Sequence, residues 1–279
     1  MKKIVALSVV LSMIAVSVTT QKLPNVQEKS LRAPAAIKVD GKPTEWNNQL
    51  QAYNKAIECY YTISNENNNL YLTVQATDLD IANKIICRGI TLTVNGTGKM
   101  KDQKGAAITF PVLNVDAFPR GQRGEPYAGM AMNLDKPDGW PADSFMVILN
   151  KDLSSKAKDI KVKGVKEITD SLISIYNPYG IKAVALFDNK TIFTYELAVP
   201  LKYLGLSVKD PKPFVYNIKL TGMANAGRTL AAAARVQRHA IRGPLVPWRN
   251  SDLITGPTVE RFYALIATTD FWGEYTLAK

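Results

Sequence analysis

The chain has 279 residues, 46% of them hydrophobic, with two cysteines, a single histidine and a formal net charge of +11. Its length fits one large domain with long loops, and one histidine leaves little room for catalysis built on that residue. The lysines are scattered rather than gathered into a run, which argues against nucleic acid.

Residues 1–20 place Lys2 and Lys3 ahead of an apolar run that is too short to span a bilayer, the pattern of a secretory signal peptide. Cleavage is expected after Ser17, with Ala15 three positions before the cut, or just before Gln21. No lipobox cysteine follows, so the expected location is secreted or periplasmic, with no transmembrane segment in the remaining chain. Loss of Lys2 and Lys3 takes the charge from +11 to +9. That balance favours anionic partners, such as uronate-bearing glycans or a membrane surface, unless it only solvates the exterior.

Residues 21–32 are polar and unpatterned, and read as a linker or a loosely held arm. One domain is expected over residues 33–279. Ile37 and Val39 alternate with polar neighbours as a strand, Asp40-Gly41 supplies turn chemistry, and Pro43 ends the strand. Trp46 reads as a core anchor. Residues 58–64 and 70–77 alternate around Asn65-Glu66-Asn67-Asn68-Asn69, a hairpin. Ile57, Cys59, Tyr61 and Ile63 should face the core, with Leu70, Leu72, Val74 and Ala76 opposite.

A helical turn is expected over 81–87, and strands over 90–95 and 107–110. Residues 111–143 are rich in Gly and Pro, and read as a long irregular loop. A strand is expected over 145–149, then a charged, exposed segment over 151–166. Strands follow over 171–176, 181–187 and 191–199, then a helical turn over 201–204 and a strand over 214–220. A second irregular segment spans 222–257. Residues 271–277 form a closing strand whose aromatics, Trp272 included, are assigned to packing. The whole is all-β: an antiparallel sandwich, jelly-roll or immunoglobulin-like, with two long irregular loops.

DGKPTEW followed by SNENNNLYLTVQATD resembles the opening of the family 9 type of carbohydrate-binding module, a β-sandwich related to DOMON domains. FTYELAVPLKYLGL at 193–206 and FVYNIKLTG at 214–222 are similar to that family's late strand, its Pro-Leu turn and the next strand. The resemblance implies a glycan as the ligand class, and with the signal peptide and the basic charge the expectation is a secreted, non-catalytic protein that binds a glycan, neutral or acidic.

A pyranose offers an apolar face and a rim of hydroxyls, so a flat ring beside amide or guanidinium groups suffices to hold it. Trp140 and Trp248 stand in the two irregular segments and are the expected platforms, unless each plugs an edge of the core. Tyr127, Arg123, Arg249 and Asn250 are their expected neighbours in the ligand site.

Cys59 and Cys87 are expected to form a disulfide in an oxidising compartment, the alternative being two buried free thiols. No metal site or cofactor is expected. Asp78 and Asp80 fall short of the six or more oxygens calcium needs. A haem would require His239 with Met130, Met132 or Met223, at no telling spacing. GMANAGRT at 222–229 approaches a phosphate loop but has Arg228 where lysine belongs. Two alternatives stand beside the glycan reading. One is a glycoside-active enzyme using loop carboxylates drawn from Glu125, Asp135, Asp138 and Asp143. The other is an envelope structural or adhesion protein that binds another protein.

Overall fold

The computed structural model describes residues 22–47, 49–96, 98, 105–113, 142–222 and 267–279. Within them the chain forms two antiparallel sheets. The first joins β1 (Ala52–Asn54), β2 (Cys59–Asn65) and β3 (Asn69–Ala76) to β9 (Phe193–Pro200) and β8 (Lys182–Phe187), in the order β1-β2-β3-β9-β8. The second takes β4 (Ile90–Asn95), β5 (Ala106–Phe110), β6 (Asp159–Lys163) and β7 (Leu172–Ser174), with β10 (Phe214–Leu220) and β11 (Thr269–Tyr275) on the other side of β4. Its order is β11-β10-β4-β5-β6-β7.

Alternation decides which residues meet between the sheets. Every core position expected on the β2–β3 hairpin is buried. Tyr61 of β2 packs 5.0 Å from the Phe271 ring of β11, and its hydroxyl lies 3.0 Å from that of Tyr216 on β10. Phe110 and Tyr195 meet across the sandwich at 6.1 Å. One apolar core thus runs between two facing sheets, the arrangement expected of an all-β sandwich.

Helix α1 (Leu79–Arg88) carries the chain from β3 in one sheet to β4 in the other. Asp78, weighed above for calcium, is its N-cap: the carboxylate accepts from the amides of Asp80 and Ile81.

Residues 145–149 are helical, against the expected strand. They belong to α2 (Ala142–Lys156), because Phe145, Met146, Leu149 and Leu153 are buried at helical spacing. The apolar run FMVIL misleads because Val147 and Ile148, which extend it, are exposed. α2 guards the outermost strand of the five-stranded sheet: Asn150 donates to the Phe187 carbonyl and accepts from its amide, both at 2.8 Å. The charged segment that follows hides β6, whose Ile160 and Val162 face the core between outward lysines. α3 (Leu201–Leu204) is the expected helical turn.

The N-terminal arm is not loosely held. β1 covers the edge of β2 only as far as Tyr61, and the arm takes over from there. The Gln27 side chain donates to the Ile63 carbonyl and accepts from its amide, and the Ala33 amide donates to the Asn65 carbonyl.

Residues 37–39 form no strand. Their segment crosses the outer face of the five-stranded sheet, where the amides of Asp40 and Gly41 donate to Glu196 of β9 at 2.9 and 2.8 Å. Gly41 has φ +80° and packs against Leu186 so tightly that a side chain there would overlap it. A 3-10 turn, Pro43–Trp46, follows, and Gln51 returns to β2 by donating to Thr62. Trp46 is therefore half-exposed on this turn and outside the core between the sheets. The two stretches that carry the family resemblance, DGKPTEW and FTYELAVPL, are bonded to one another.

Cys59 and Cys87 are free thiols, both buried, which corrects the expected disulfide. Cys59 faces the core and lies 3.2 Å from the Ile57 carbonyl. Cys87 is on α1, 3.7 Å from Asn83 Oδ1 one turn earlier. Burial, the largest influence, pushes the Cys59 thiol far up, so it stays protonated.

Candidate functional site

Trp140, Trp248, Tyr127, Arg123, Arg249 and Asn250, the expected ligand residues, all lie outside the described residues, as do Glu125, Asp135 and Asp138. Asp143 falls within α2, but its side chain is not among those described.

A different candidate stands on the outer face of the six-stranded sheet. Because successive side chains alternate, the residues between the core positions of β10, β4, β5 and β6 share that face. Strand pairing sets them in two rows. One runs Asp270, Lys219, Thr91, Thr109, Lys161 across five strands. The next runs Trp272, Asn217, Thr93, Ala107, Lys163. Almost every member is an amide, a hydroxyl or a charge.

The centre of this face is recessed into a groove of about 770 Å³ that reaches Arg88 and Cys87 at the end of α1, within the size range of small-ligand sites. Thr91 and Thr93 lie at its floor, 8% and 7% exposed, and the Thr91 and Thr109 hydroxyls are 2.8 Å apart. Asn217 is held by β11: its amide donates to Asp270 Oδ2 at 2.6 Å and to the Phe271 carbonyl at 2.9 Å. Its carbonyl oxygen has no partner among the described residues. Lys161 and Lys163 stand exposed on one bank, Lys219 is half-exposed on the other, and Arg88 is half-exposed at the end of α1.

The sequence assigns Trp272 to packing, in a closing strand whose aromatics seal the edge of the sandwich. Phe271 and Tyr275 pack in the core, while Trp272 sits opposite Asn217, half-exposed on the outer face. It ends the second row, on the edge strand β11. The alternation of TDFWGEY carried this signal, since Trp272 shares a face with Asp270 and Glu274.

Two other places fall short as sites. A hollow of about 530 Å³ beside the β2–β3 loop includes Asn67 and Asn69, but Asn67 accepts from Arg32 and Asn69 donates to Glu66. Glu196 has the perturbed carboxyl that often marks a catalytic acid, raised to about 7, chiefly by burial. The Gly41 and Asp40 amides pull it down, while the charges of Asp40 and Glu45 push it up. It faces backbone amides under a covering segment, not a cavity, so it acts as a latch for that segment. No protein-family model matches the chain, and no curated protein is similar to it in sequence.

Proposed function

We propose that this protein is an exported, non-catalytic carbohydrate-binding protein, akin to the family 9 type of module, that holds a glycan against the outer face of its six-stranded sheet. One observation carries the reading: two adjacent rows of hydroxyl, amide and ammonium groups form a recessed groove, with Trp272 one strand beyond its Asn217. Hydroxyls both donate and accept, so a floor of threonines beside the Asn217 carbonyl suits sugar hydroxyls. A half-exposed indole at the margin suits the apolar face of a pyranose. Trp140 and Trp248, outside the described residues, are further platforms on this reading.

The test is retention of the purified protein on a panel of immobilised glycans. Trp272→Ala and Thr93→Val should each weaken binding about tenfold, equivalent to roughly 1.4 kcal/mol. Binding abolished by Trp140→Ala or Trp248→Ala, but indifferent to changes on the sheet face, would move the site to the loops. Retention on no glycan would overturn the reading.

A further inference from the structure

We propose that the groove selects acidic polysaccharides, whose carboxylate or sulfate groups are taken by Lys161 and Lys163 on one bank, by Lys219 on the other and by Arg88 at the end of α1. This rests on the glycan reading of the same face and adds its ligand class.

The argument starts from pairing. Among the described residues the ion pairs are local, Lys156 with Asp152 and Lys212 with Asp210, and none involves the four cations of the groove. None of the four has a hydrogen-bond partner there either. The one acid in their rows, Asp270, is engaged by Asn217 rather than by Lys219, which stands directly opposite it. Four positive charges without an ion-pair partner among the described residues therefore line one concave surface, where low-dielectric walls focus their field.

Spacing narrows the ligand further. Lys161 and Lys219 occupy the same row three strands apart, roughly 14 Å at the spacing of neighbouring strands. A single anionic group cannot reach both banks, whereas a polymer carrying repeated charges can cross the strands and meet each in turn. Between the banks the row presents the Thr91 and Thr109 hydroxyls, which suit sugar hydroxyls. A flat anionic membrane would meet the exposed lysines but not the recessed threonines.

The experiment compares polygalacturonate and chondroitin sulfate with neutral mannan and xylan, using the purified protein, its Lys161→Glu/Lys163→Glu variant and vesicles of phosphatidylglycerol as a further probe. Acidic glycans should bind, neutral ones at least tenfold more weakly. Affinity for the acidic ligands should fall roughly tenfold as salt shortens the screening length from about 10 Å to about 3 Å. The double variant should lose about a hundredfold on acidic glycans with its unfolding midpoint unchanged, because both side chains are exposed. If carboxylated and sulfated glycans differ, that difference assigns the anion. Equal binding of neutral glycans, insensitive to salt and to the double variant, would overturn the acidic preference and leave the glycan reading standing. Vesicle binding without glycan binding, or no binding of either, would overturn both.

Discussion

Replacing Glu196 by glutamine separates the charge of the latch from its hydrogen bonds. The carboxylate is 3% exposed and accepts from two backbone amides. Its pKa is raised from 4.5 to about 7, first by burial. A group raised in this way binds its proton more tightly in the folded chain than in the unfolded one. Its contribution is fully present below pH 4.5 and is lost as pH rises through about 7. The shift corresponds to roughly 3 kcal/mol. Glu196→Gln keeps an acceptor oxygen for the Asp40 and Gly41 amides and removes the titration. Urea unfolding of both proteins at closely spaced pH values between 4.5 and 8 should therefore show a falling stability in the native chain that flattens in the variant by about that amount. Titrations common to both proteins cancel in the difference. If the variant kept the full slope, Glu196 would not be the group responsible, and the latch would have to be held by its hydrogen bonds alone.

A side-chain methyl at Gly273 would overlap the ring of Tyr216, which is fully buried and tied to the Tyr61 hydroxyl. Gly273→Ala should cost about 1–3 kcal/mol in urea unfolding, while Gly96→Ala, which points into open space, should change stability by less than about 0.5 kcal/mol. Thiol titration without reductant should find two reactive groups in the denatured chain and neither reacting rapidly in the native one, since Cys59 is 0% and Cys87 3% exposed. A denatured chain with no reactive thiols would restore the bridge.

Strands with strong alternation were legible residue by residue: the β2–β3 hairpin, β4 and β10 all lie where periodicity puts them, because burying one face leaves a clear two-residue period. The failures have physical causes. In α2 an unbroken apolar run hid a helix, because two of its residues are exposed. In DIKVK, lysines outside two core residues made β6 look like surface. Ile37 and Val39 alternate, yet their segment is bonded to side chains of the sheet it covers rather than to a neighbouring strand. The candidate groove was legible only in pieces. ITLTVN, FVYNIKL and DIKVK each turn hydroxyl, amide or ammonium groups to the side away from the core. Nothing local says that β10 lies beside β4, some 120 residues earlier, and without that pairing the rows do not exist.

The crossing of residues 37–51 over the five-stranded sheet gives the molecule a back and a front. Thr62, Thr73, Thr194 and Glu196 belong to the outward side of that sheet, but are 1–3% exposed. Those hydroxyls serve the protein itself. Among the described residues the opposite face is the one that keeps comparable polar rows exposed, so the two sheets, alike in alternation, are unlike in what they offer to solvent.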